Sequence, residues 1–195
     1  MNASVLEWSA AAFSVLGVWL MTRRVLLAWP VGLVSVALYA LVFAEAKLYS
    51  DTLLQIVFGG FLVYGWMSWR RNRASDGRVS IVALPAPQLA RDLGIGVAFG
   101  IALGAAMYTF TDAHFPWLDA MLAALSLVAQ WWQARRHVAT WWLWIVVDVV
   151  YVGMYVVKSL NVTAALYVFF TLLAVMGLRA WTHAERSEQL ADRSA

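Results

Sequence analysis

Seven predominantly apolar runs, each of roughly 17–22 residues and so long enough to cross a bilayer, divide this chain. They lie near 5–21, 27–44, 52–69, 92–110, 117–134, 139–157 and 162–181. Such runs leave little conformational freedom. In hydrocarbon no water serves the amides, so each segment must satisfy its own backbone N–H and C=O groups, and a helix does so unaided. Composition agrees: 63% of the 195 residues are hydrophobic and 13% charged, whereas soluble domains run near half apolar and a quarter charged. The expected fold is all-α integral membrane, with seven transmembrane helices. Cysteine is absent, which removes disulfides, thiolate metal sites and cysteine nucleophiles. The opening MNASVLEW carries no basic leader, so no removable signal peptide is expected.

The connecting segments set the orientation. Arg23 and Arg24, then Arg70, Arg71, Arg73, Arg78 and Arg91, then Arg135 and Arg136, and finally Arg179, Arg186 and Arg193 fall on alternate connections and the tail. Only Lys47 and Lys158 fall on the other side. Basic residues accumulate on cytoplasmic loops, so the N-terminus is expected outside and the C-terminus in the cytoplasm of an inner-membrane, multi-pass protein. The net charge of +3 therefore reads as membrane orientation, and no nucleic-acid partner is expected.

A displacement of 112 residues superimposes the two halves without a gap. Trp19 meets Trp131, Arg23-Arg24 meets Arg135-Arg136, Trp29 meets Trp141, Tyr39 meets Tyr151, Gly65 meets Gly177 and Trp69 meets Trp181. Chance agreement in apolar sequence would favour Leu, Val and Ala, so these matches indicate duplication. The expected organisation is a first three-helix repeat (1–73), a linker with helix 4 (74–112), a second three-helix repeat (113–182) and a tail (183–195). Three crossings invert the chain and a fourth restores its direction, giving a 3+1+3 arrangement of parallel repeats.

The sixth run holds the least expected residue. In TWWLWIVVD (140–148) a carboxylate follows an unbroken apolar stretch. At helical spacing Trp141, Trp144, Asp148, Tyr151 and Tyr155 share one stripe about 80° wide, while Trp142 points elsewhere. A charge at mid-membrane costs about 2.5–3.5 kcal/mol on insertion scales, so Asp148 should face the bundle interior or a wet cavity. An acid flanked by aromatic rings suits a flat cation. Trp141 lies near a helix end and has a mate in Trp29, which also fits anchoring or packing, and Tyr151 has a mate in Tyr39. Asp148 and Trp144 instead face Val36 and Gly32 across the displacement. Polarity confined to one copy is what a specialised site would leave.

Gln55 of the third run, whose mate is Tyr167, is a second candidate, since an amide both donates and accepts. An interhelical hydrogen bond, worth about 0.6 kcal/mol in membranes, is the plainer alternative. Ser126, Gln130 and Gln133 share a face of the fifth run, and Gln130 is the deeper glutamine. His114, His137 and His183 lie at span ends or in the tail without ligand spacing, and read as surface histidines, not as a metal site. Lys158 reads as a snorkelling residue, Asp51 as an exposed loop acid or part of an outer mouth, and Pro30 as a helix start or a flexible point. No GxxxxGK[ST] loop and no Ser/His/Asp set at membrane depth is present, so neither ATP-driven transport by this chain nor an enzyme is expected. No cofactor is implied.

The motifs LYxDxLLQ and YGWxxW within 29–69, and WxxWxxxD and NVTAALY within 141–181, resemble in order those of the PnuC family of vitamin transporters. The resemblance covers nearly the whole chain apart from the fourth span and the tail. It implies a SWEET-like seven-helix fold and uptake of nicotinamide riboside by facilitated diffusion with alternating access, the vitamin being trapped by phosphorylation inside. It assigns substrate contacts to Gln55 and to the WxxW pair Trp141 and Trp144. The following position, commonly Asn in nicotinamide riboside carriers, is Asp148 here, which brings thiamine, and less so riboflavin, into consideration. The expected site is thus Gln55, Gln130, Trp141, Trp144, Asp148 and Tyr151. The expected partners are the vitamin and the bilayer, with a homo-oligomer left open. An intramembrane enzyme using Asp148, or a structural membrane partner pairing it with another protein's cation, are the readings from other classes.

Overall fold

A computed structural model describes residues 3–45, 47, 49–73, 79–111 and 114–194. The side chain of Asp51 and the linker residues 74–78 lie outside the described residues. Seven helices follow in order: α1 (Ala3–Thr22), α2 (Ala28–Glu45), α3 (Tyr49–Arg71), α4 (Ala86–Phe110), α5 (Pro116–Ala134), α6 (Ala139–Val157) and α7 (Asn161–Ser194). α7 runs on through most of the segment read as a tail. Prolines open helices where their missing N–H costs nothing: Pro30 sits in the first turn of α2, Pro85 caps α4 and Pro116 begins α5.

Six of these helices are long and apolar enough to cross a membrane; α5 is not among them. The reason lies in its sequence. Asp119, Ser126, Gln130 and Gln133 dilute its hydropathy, and the last three are buried. Polar side chains turned inward lower a helix's average without exposing anything to lipid.

The chain packs into two compact units. The first comprises Met1–Ile81, Ala134–Arg136 and Met176–Ala195, and the second Val82–Gln133 and His137–Val175. In the first, Trp29, Trp69 and Trp181 are fully buried and meet ring to ring, at 5.2 Å and 81° for Trp29–Trp69 and 5.7 Å and 48° for Trp69–Trp181. Trp181 Nε1 donates to Met21 O at 3.2 Å. Gly65 makes this packing feasible, because a Cβ there would lie 2.1 Å from the Trp29 ring. In the second unit, Gly96, Gly100 and Gly104 let α4 approach α5 closely. Added Cβ atoms would meet Val128 at 2.6 Å, Met121 at 2.9 Å and Trp117 at 2.7 Å.

The displacement of 112 recurs in local geometry. Added to the first residues of α1, α2 and α3, it lands within one residue of the starts of α5, α6 and α7. Arg24, Lys47, Arg136 and Ser159 have φ of 58°, 59°, 68° and 58°, and they form two pairs related by it. A non-glycine residue in this left-handed region costs roughly 1–2 kcal/mol. The compensation is a helix C-cap in which a following N–H reaches back five residues. Val25 N bonds Leu20 O at 3.3 Å, and its counterpart His137 N bonds Trp132 O at 3.0 Å.

The segment read as a linker is pinned at its end. In the first unit Arg24 Nη1 donates to Val79 O (3.0 Å) and to Glu188 Oε1 (2.7 Å), Ile81 N donates to Glu188 Oε2 (2.9 Å), and Arg136 Nη1 donates to Ser80 Oγ (3.2 Å). In the second, His137 Nδ1 lies 2.8 Å from Val82 O. His137 is therefore no surface histidine but a buried one, 4% exposed, whose ring holds the backbone carbonyl of Val82.

Candidate functional site

α6 positions the site by its two-sided character. Along one face Val146, Val149 and Val156 are more than half exposed, and Trp142 is 61% exposed. The opposite stripe turns inward: Trp141 and Asp148 are buried, and Trp144, Tyr151 and Tyr155 are half-buried. Trp144, Tyr151 and Tyr155 rest on a core of Leu122, Val128, Ala129, Trp132, Leu143, Val147 and Met154. Thr140 Oγ1 donates to Ala129 O at 2.8 Å, fixing the start of α6 against α5. The register of the stripe follows from that junction and the helical period.

Asp148 is 5% exposed, yet no described residue donates a hydrogen bond to its carboxylate or pairs with it. A buried unpaired charge costs several kcal/mol, so this is the strongest functional mark on the molecule. α5 supplies the facing groups. Trp144 Nε1 donates to Gln133 Oε1 at 2.9 Å, and Ser126 Oγ donates to Leu122 O at 2.8 Å. Gln130, 7% exposed, has a side-chain amide with no hydrogen-bond partner among the described residues.

Beyond Asp148 the wall is aromatic. Tyr151 and Tyr155 stack at 5.7 Å and 16°. Tyr167 of α7 closes the group at 4.8 Å from Tyr151 and 5.2 Å from Tyr155. Asp119 and Lys158 form an ion pair at 3.4 Å, so Lys158 is held by an acid and does not simply snorkel. Among the described residues no group of three His, Asp or Glu could hold a metal.

The second unit thus holds Gln130 on α5 and Trp144, Asp148 and Tyr151 on α6, two helices joined at Thr140–Ala129 and Trp144–Gln133, with Trp141 on α6 only 1% exposed. Gln55 lies in the first unit on α3, half-buried and without a described hydrogen-bond partner. Sequence reasoning passed over Tyr167, Asp119 and Phe115. For Tyr167 a signal existed: it is the mate of Gln55, a polar-aromatic exchange that was credited to the glutamine alone.

The family model described as nicotinamide mononucleotide transporter matches residues 4–183. The chain belongs to this family. It is 26% identical over 180 residues to the nicotinamide riboside transporter PnuC of Escherichia coli, covering 80% of this chain and 75% of that one. It is likewise 26% identical over 181 residues to the riboflavin/roseoflavin transporter RibM of Streptomyces davaonensis, covering 89% and 84%. The fold is similar to the crystal structure of the vitamin B3 transporter PnuC, with a TM-score of 0.77 over 94% of this chain and 83% of that one at 24% identity. The PnuC family resemblance in the motifs therefore extends over residues 4–183, and these relatives are transporters, not enzymes.

Proposed function

We propose that this chain carries nicotinamide riboside across a bacterial cytoplasmic membrane by facilitated diffusion with alternating access, phosphorylation inside then trapping the vitamin. The observation that carries this reading is the buried, unpaired Asp148 among aromatic rings. A pyridinium ring offers the fixed positive charge that carboxylate lacks, and aromatic faces add about 0.5–2 kcal/mol for a cation. Gln130 has a free amide for ribose hydroxyls, and Trp144 and Tyr151 have ring surface for stacking. A phosphorylated substrate would bring its own negative charge toward Asp148, which favours the riboside over the nucleotide. Trp141 is assigned as the closed back of the site, and Gln55 a part in recognition on the family resemblance alone.

Thiamine is the second reading, favoured by the acid standing where nicotinamide riboside carriers commonly have Asn. Its thiazolium is also a fixed cation. Riboflavin, being neutral, gains less from Asp148. The arginine-bearing connections support an outside N-terminus and a cytoplasmic C-terminus. The recurrence of helix starts and left-handed turns at one displacement supports a SWEET-like 3+1+3 organisation around α4, with α5 as the seventh crossing.

Calorimetric titration of the purified protein with nicotinamide riboside, thiamine and riboflavin tests the substrate. Nicotinamide riboside should bind tightest, and Asp148→Ala should abolish its heat while the protein still elutes as a folded species. Undiminished affinity in that variant overturns the assignment.

A further inference from the structure

The polar stripe of α6 continues past the tyrosines. Lys158, at the C-cap of α6, follows Tyr155 by three residues and extends the same face. Its Nζ lies 3.4 Å from Asp119 Oδ2 and 5.5 Å from the centroid of Phe115, and the two charged side chains are 22% and 26% exposed. A carboxylate beside an aromatic face is the same chemistry that surrounds Asp148, and here an ammonium sits in it. Two such sites lie along one helix. At 1.5 Å per residue, Asp148 and Lys158 are separated by about 15 Å, and the stack of Tyr151, Tyr155 and Tyr167 fills the interval.

The displacement of 112 separates what is shared here from what is special. Asp119 has an acidic mate in Glu7, whereas Lys158 has Ala46. An acid at this level belongs to both halves; the lysine that neutralises it belongs to one. That lysine is also one of only two basic residues on the side of the membrane from which uptake would begin. A permanent ammonium above a cation-selective site would repel its substrate unless the acid beside it can change partners.

We propose that Asp119 and Phe115 form an outer docking site for a cationic heteroaromatic ring, in which Lys158 is an intramolecular competitor that the substrate displaces before it reaches Asp148. The proposal rests on the cationic-vitamin reading above. The ion pair is partly hydrated, so its rupture costs little. Docking therefore trades one weak pair for another and leaves the ring poised over the tyrosines.

The test uses the full chain in liposomes, measuring initial uptake of nicotinamide riboside against its external concentration. Lys158→Gln should lower KM on the order of threefold, Asp119→Asn should raise it by a similar factor, and maximal rates should change little. In the double variant the lysine substitution should confer no gain, and Lys158→Arg should retain the parental KM. A pair acting only as a structural staple gives another pattern: both single variants shift KM the same way or not at all, and both lower the thermal midpoint. That pattern overturns the proposal. Lack of uptake by the parent chain of any cationic vitamin overturns the underlying reading as well, and so is distinguishable.

Discussion

Two stacked aromatic pairs sit at equivalent places in the two units. Tyr39 and Phe43 stack at 5.8 Å and 18°, Tyr151 and Tyr155 at 5.7 Å and 16°. Their surroundings part company one turn away. Val36 precedes the first pair and Asp148 the second; Gly32 answers Trp144, and Val18 answers Gln130. The first unit satisfies its buried hydroxyls internally, Ser35 donating to Ala10 O at 2.8 Å with Ser14 Oγ 2.6 Å away. In the second, Asp148 and Gln130 are buried and have no hydrogen-bond partner among the described residues. One scaffold supports both, and the second unit differs in holding a buried acid where the first holds Val36.

The contrast can be broken by substitution, and the largest effect is expected from exchanging its extremes. Asp148→Ala should remove vitamin binding, whereas Val36→Ala should leave it within about threefold, a loss under 1 kcal/mol; titration calorimetry on the two variants decides. Truncating the buried tryptophans should hurt stability in both units alike. Trp29→Ala and Trp141→Ala should each cost about 3–5 kcal/mol, read as a fall in the thermal midpoint. A Trp141 variant that stays stable but loses binding would move that ring from the wall of the site into direct contact. Gly65→Ala, which drives a Cβ into Trp29, should destabilise by roughly 1–3 kcal/mol, while the same change at Gly60, where nothing lies within 4 Å, should be neutral or mildly stabilising. The smallest effect is expected at Glu188→Gln. That carboxylate is 37% exposed, so loss of the pair should leave folding nearly intact. Its hydrogen bond to Ile81 N should weaken, seen as faster amide exchange at Ile81.

The stripe on α6 was legible in the sequence because one period relates Trp141, Trp144, Asp148, Tyr151 and Tyr155, and because Trp142 violates it; the burial pattern follows that period. The helix-start role of Pro30 was legible for a local reason too. His137 was not: its side chain is engaged by Val82, 55 residues away, and nothing in a span-end histidine announces a backbone carbonyl waiting for it. Lys158 was misjudged similarly, since snorkelling is a property of one helix and the pair with Asp119 is a property of two. The length of α5 reads as one more apolar span, although its glutamines and serine mark a helix that turns this polarity inward.

By itself the sequence determined that this chain forms long apolar helices, which of their faces carry the polar and aromatic side chains, and which residues recur at a constant displacement. These are consequences of helical period and of the cost of bare amides in lipid, both local. Tertiary structure decided which polar groups are paired and which are left over. Gln133 is consumed by Trp144 and Asp119 by Lys158, while Gln130 and Asp148 are not consumed by any described residue. Pairing depends on distances of about 3 Å between side chains on different helices, and those distances are fixed by packing.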